Sequence, residues 1–165
     1  MRFIILLLLG LLVNIVYSQT IQFPIKASAD KKFITDQQDN PVFLNGCSAW
    51  RLPYALTNSE VEKFLEDRKS KGFNTLLIHI TPDLPSYKNG NKALRGEPAF
   101  YDYDLGKPNE KFFSHLDTVL NMCLEKNMIV MIAPMYLACC QDGWLEIIQQ
   151  YKDSEKKCRE YGQWF

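Results

Sequence analysis

Four side chains in this chain combine a chemically useful type with a telling position: Trp50, His79, Tyr136 and Trp144. Each stands at the end of an apolar, β-prone run or in the loop that follows one. Aromatic faces flanked by hydrogen-bonding groups suit a ligand with an apolar face and a polar rim. Each residue also has a structural reading. Trp50 can plug the top of a core, His79 can be a hydrogen-bonded core histidine, and Tyr136 and Trp144 can fold their loop down. Asp83 and Asp142 sit in the same loops and read as hydrogen-bonding groups rather than proton-transfer acids. Arg51 reads as a surface ion-pair partner before it reads as a clamp for a carboxylated ligand.

The remaining reactive types are sparse. The five cysteines are Cys47, Cys123, Cys139, Cys140 and Cys158, an odd number with no C-x-x-C spacing. Cys123 falls on an apolar helical face and reads as a small core residue. The adjacent Cys139 and Cys140 have the wrong geometry for an ordinary bridge to each other. With only two histidines in the chain, no ligand spacing for a metal emerges, and neither a metal nor a cofactor is expected. Lys and Arg number 19 against 19 Asp and Glu, so the basic excess that phosphate backbones require is missing and nucleic acid is not an expected partner.

Residues 1–18 read as a signal peptide. Met1 and Arg2 form a positive end, Phe3 to Val16 is almost wholly apolar, and Val16-Tyr17-Ser18 offers a cleavage site after Ser18. The apolar run of about 14 residues is short for a bilayer core that needs about 20. The expected location is therefore secreted or periplasmic, with no stable membrane anchor after cleavage.

Residues 19–32 form a lead-in, and the folded domain is expected over 33–165. Lys32 to Thr35 and Pro41 to Leu44 flank a polar turn and predict a β-hairpin. The second run continues into Asn45-Gly46-Cys47-Ser48 as the first strand of a sheet. Thr57-x-x-Glu60 is a capping box that opens a helix, and Gly72 closes it. Phe73 to Ile80 and Met128 to Ala133 are nearly continuous apolar runs, as strands covered on both faces should be. Between them lie a long loop, Thr81 to Lys107, and a helix from Pro108 to about Lys126, with Asn127 as its end cap. A last helical region covers roughly Trp144 to Phe165, broken near Asp153-Ser154. Strand and helix in alternation predict a parallel sheet built from βαβ units. No glycine-rich phosphate loop follows any strand, so the open nucleotide-binding sheet is disfavoured against a (β/α) barrel.

Several blocks resemble one family. Asp39-Asn40-Pro41-Val42-Phe43-Leu44-Asn45-Gly46-Cys47-Ser48-Ala49-Trp50 is similar to the hairpin and first strand of apiosidase-like glycoside hydrolases. Glu62-x-x-Leu65-x-Asp67-Arg68-x-x-Lys71-Gly72-Phe73-Asn74 resembles their first helix and second strand. Lys107-Pro108-Asn109-Glu110-x-Phe112-Phe113-x-His115-x-Asp117, Ala133-Pro134-Met135-Tyr136-Leu137, Asp142-Gly143-Trp144 and Tyr161-Gly162-x-Trp164 follow in the family's order. The family often has Asp or Asn then Thr where this chain has Cys47-Ser48, so no polar role carries over to position 47.

The resemblance implies the N-terminal part of a (β/α)₈ barrel, about three β/α units after a hairpin. It also implies a glycoside hydrolase acting on oligosaccharides or polysaccharides, on plant-type side chains, through a retaining pair of carboxylates. Both acids would lie on the fourth and later strands, beyond Phe165, so no catalytic residue is assigned. Barrel active sites form at the C-terminal strand ends, which makes Trp50, His79, Tyr136 and Trp144 the candidate sugar contacts. His115 and Asp117 fall on an outer helix and read as structural. The alternative is a non-catalytic carbohydrate-binding or structural remnant of such a barrel.

Overall fold

A computed structural model describes residues 20–81, 98–137 and 144–165. The segment expected to be a signal peptide, Asp83, Cys139, Cys140 and Asp142 fall outside the described residues, as does most of the loop after His79. The chain divides into two units, residues 1–43 and 44–165.

In the first unit, β1 (Lys26–Ala27) pairs antiparallel with β2 (Ile34–Thr35), Lys26 opposite Thr35. Ser28 turns the chain between them. Its hydroxyl donates to Asp30 and accepts from the Lys32 and Phe33 amides at 3.1 and 3.2 Å. The expected hairpin partner of β2 was the segment from Pro41 to Leu44. That pairing shrinks to one bridge, Thr35 to Pro41, and one bond from the Val42 amide to the Ile34 carbonyl. The Asp36 carboxylate accepts from the Gln38 and Asn40 amides, and Pro41 has no N–H to offer a ladder. The main partner of β2 comes instead from the lead-in.

The second unit holds a three-stranded parallel sheet, β3 (Gly46–Ser48), β4 (Thr75–His79) and β5 (Ile129–Ala133), in that spatial order. Cys47 lies beside Leu76, and Leu77 beside Met131. Parallel neighbours need a crossover, and helices supply each one. After β3 comes a short helix absent from the sequence reading, α1 (Leu52–Ala55), which buries Leu52, Pro53 and Tyr54. Its proline sits in the first turn, where a missing amide costs nothing.

The capping box forms as expected at α2 (Asn58–Ser70). Thr57 accepts from the Glu60 amide, and the Glu60 carboxylate accepts from the Thr57 amide at 2.8 Å. Losing such a cap costs about 1 kcal/mol. Gly72, at φ +82°, ends the helix. The Phe73 amide then returns to the Arg68 carbonyl, a closure that a Cβ would strain.

The helix expected from Pro108 begins two residues later, as α3 (Glu110–Glu125). Asn109 is the cap and is fully buried. Its side chain accepts from the Lys111 amide and the Tyr101 hydroxyl and donates to the Pro98 carbonyl. Asn127, at φ 54°, ends α3 and leads into β5. The final helical region is two pieces, α4 (Leu145–Gln150) and α5 (Ser154–Trp164), with the expected break at 151–153.

Alternation along β4 sorts the sheet's two faces. Leu76 and Ile78 are fully buried in one core with Val61 and Leu65 of α2 and Val119 and Cys123 of α3. On the opposite face Leu77 is 38% exposed, and Met131, level with it on β5, is 50% exposed. The sheet is thus covered by helices on one side; on the other, Thr75 and His79 at the two ends of β4 are buried and the middle, at Leu77 and Met131, is open. Among the described residues no helix is long and apolar enough to cross a membrane.

Candidate functional site

The three strands end at one place. Beyond β3, the parallel ladder continues through two bonds, from the Ala49 amide to the Leu77 carbonyl and from the His79 amide to the Trp50 carbonyl, both 2.9 Å. These bonds set Trp50 beside His79. Their rings stack with centroids 5.0 Å apart and planes 23° from parallel. From the end of β5, Tyr136 closes the group, its ring 5.7 Å from Trp50 and 5.5 Å from His79, edge-on to both. Such offset and edge-to-face contacts suit the ring quadrupoles.

His79 lies beneath this surface, fully buried. The Tyr54 hydroxyl is 3.0 Å from its Nδ1, and the Thr81 hydroxyl is 2.8 Å from its Nε2. Thr81 in turn donates to the Met135 sulfur at 3.9 Å. Tyr54 and Thr81 were not nominated from the sequence. The available signal was Pro53, which opens the short helix that delivers Tyr54, and the two-residue step from His79 to Thr81. Arg51 places its guanidinium 5.7 Å from the centre of the Tyr54 ring, a cation–π arrangement.

Trp144 is not brought to this group. It is 3% exposed and packs edge-on against Phe100 at 5.1 Å, and Phe100 also contacts Phe113 and Tyr161. Its backbone is nearer the site, since the Trp144 amide donates to the Tyr136 carbonyl at 2.9 Å. Trp144 therefore braces the loop that carries Tyr136, while its indole fills the core. His115 and Asp117 lie on α3.

Cys47 and Cys123 are poor nucleophiles in this setting. Burial pushes the Cys123 thiol up to about 11 and also raises Cys47, against the opposing pull of Arg68. A thiol with a raised pKa carries little thiolate near neutral pH. Cys47, Cys123 and Cys158 are unbridged. Among the described residues no group of three or more His, Cys, Asp or Glu is placed to hold a metal ion.

Parallel strands with helical crossovers, and aromatic groups gathered at the strands' C-terminal ends, define part of a (β/α) barrel. Solved structures bear this out. One glycoside hydrolase superposes with a TM-score of 0.66 at 18% identity, over 85% of this chain and 30% of its own. A family 5 glycoside hydrolase from Bacteroides vulgatus gives 0.68 at 17% identity, over 88% and 31%. A family 5 mannosidase from Rhizomucor miehei, in complex with mannosyl-fructose, gives 0.56 at 19% identity, over 83% and 40%. The chain thus spans about a third of the length of these enzymes, and the likeness is one of fold.

The family itself is given by sequence. The model described as "Apiosidase-like, catalytic domain" matches residues 28–165, so this chain belongs to the apiosidase-like glycoside hydrolase family. A search of curated proteins gives no match.

Proposed function

We propose that this chain supplies the first three barrel strands, β3 to β5, of a secreted glycosidase that acts on the side chains of plant-type polysaccharides. Trp50 and Tyr136 would form part of its sugar-binding surface. The observation that carries this reading is the half-buried pair of rings at the top of a barrel sheet. Sugars offer apolar CH faces rimmed by hydroxyls, and an indole beside a phenol hydroxyl matches both features.

The chemistry in this reading is retaining hydrolysis, which needs two carboxyl groups roughly 5–5.5 Å apart, one as nucleophile and one as acid/base. Those acids belong to later strands of the barrel, and the contribution of this chain is binding. Export rests on Met1-Arg2, the apolar run to Val16 and the cleavage signature at Ser18.

Titration calorimetry with pectic and arabinogalactan oligosaccharides tests the binding role. Heat is expected with the unaltered chain and not with Trp50→Ala, and neither protein should release sugar. An absence of heat from the unaltered chain rejects the reading. Coding sequence continuing past Phe165 should supply a strand ending in an acid, then a second acid further on.

A further inference from the structure

We infer that His79 is a positioning residue, held in one tautomer between Tyr54 and Thr81 so that its ring sets the attitude of Trp50 and Tyr136. The inference rests on the reading that those two rings carry the sugar. Exposure separates the roles. His79 and Thr81 are at 0% and Tyr54 at 3%, whereas Trp50 and Tyr136 are both half-buried. A ligand on this surface meets the outer rings and not the imidazole.

The hydrogen bonds have a consistent direction. The Met135 sulfur, 3.9 Å from the Thr81 hydroxyl, can only accept; with the single Thr81 proton given to it, the hydroxyl's lone pairs face His79 and the imidazole proton is on Nε2. Nδ1 is then the acceptor, and the Tyr54 hydroxyl donates to it. This arrangement uses the neutral ring. Turning the imidazole would break both bonds and leave buried polar groups unpaired, which is costly.

The chain of bonds also joins three separate segments. Tyr54 comes from α1 after β3, His79 and Thr81 from the end of β4, and Met135 from the residue next to Tyr136. Trp50 stacks on the ring so held, and Tyr136 stands on its edge. The imidazole plane therefore serves as the reference against which both outer rings are set.

Nitrogen-edited NMR of the labelled chain tests this directly. The chain has two histidines, so a His115→Gln background leaves the His79 signals alone. The Nε2–H tautomer is expected, with ring protons shifted upfield by the stacked indole of Trp50. Tyr54→Phe keeps the aromatic ring and removes the donor. It should mix the tautomers and reduce the upfield shift, and Thr81→Val should act in the same direction. Affinity for any oligosaccharide whose binding Trp50→Ala abolishes should fall about fivefold to tenfold in Tyr54→Phe.

An Nδ1–H tautomer in the His115→Gln background overturns the proposal. So does a tautomer and ring shift left intact by both substitutions. If Tyr54→Phe does not fold, the parent spectrum and Thr81→Val still decide. Should no oligosaccharide bind at all, the sugar-binding reading fails while the NMR outcomes continue to judge the positioning role.

Discussion

The ring of His79 lies 5.0 Å from that of Trp50, and the same two residues share a 2.9 Å backbone bond from the His79 amide to the Trp50 carbonyl. The stack is thus a consequence of strand register. A one-residue slip of β3 against β4 would turn Trp50 to the other face of the sheet.

Two tryptophans of the candidate set should respond differently to truncation. Trp144, 3% exposed among Phe100 and its neighbours, should cost about 3–5 kcal/mol as Trp144→Ala, the range for large aromatic deletions from a core. Trp50, half-buried, should cost distinctly less in stability as Trp50→Ala and act mainly on ligand binding. Denaturant unfolding of both variants checks this. Equal losses would remove the distinction between a core indole and a surface one.

The open face of the sheet should be detectable in solution. Leu77 and Met131 stand side by side at 38% and 50% exposure, and adjoining exposed apolar groups bind hydrophobic dyes and partners. Fluorescence of the dye ANS should rise with this chain and fall in Leu77→Ser/Met131→Ser. A dye signal that the double substitution does not change would place the apolar surface elsewhere.

Acid should loosen the contact between the loop at 101–107 and α5. The Lys157 ammonium, and then the Gly106 amide, hold the Asp104 carboxyl below its ordinary value of 3.8. A carboxylate depressed in this way stabilises the fold above its unfolded pKa, and the contribution fades as pH falls through the lower folded value. Asp104 also raises Lys157 above 10.5, so that part is complete below the unfolded lysine pKa and is lost as pH rises through the folded one. Asp104→Asn should lower Tm at neutral pH and flatten its fall below pH 3.8. A parallel acid limb in the variant would assign the effect to other carboxylates.

Thiol labelling should follow burial. Cys158 is exposed, Cys47 half-buried and Cys123 fully buried with its thiol pushed up to about 11. Peptide-resolved mass spectrometry after brief alkylation should show Cys158 modified first and Cys123 only on unfolding. Equal rates at Cys123 and Cys158 would mean that the helix-covered core opens readily.

What the sequence determined by itself was whatever depends on near neighbours along the chain. Thr57 and Glu60 are three residues apart and close their capping box within a single turn. Gly72 stops α2 because only backbone freedom at that position is required. The apolar runs of β4 and β5 announce strands, but the cover on both faces that such runs predict is not found, since Leu77 and Met131 are exposed; the alternation of elements announces a parallel sheet. Trp50, His79 and Tyr136 could be nominated because a barrel brings its strand ends together.

The tertiary structure decided the rest, because the partners are distant in sequence and chosen by packing. Tyr54 and His79 are 25 residues apart, and no local pattern marks them as a pair. The partner of β2 turned out to be Lys26–Ala27, since Pro41 lacks the amide a longer ladder needs. Trp144 and Trp50 are the same residue type, each near a strand end. Only the placement of Phe100 and Tyr161 sends one indole into the core and leaves the other at the surface.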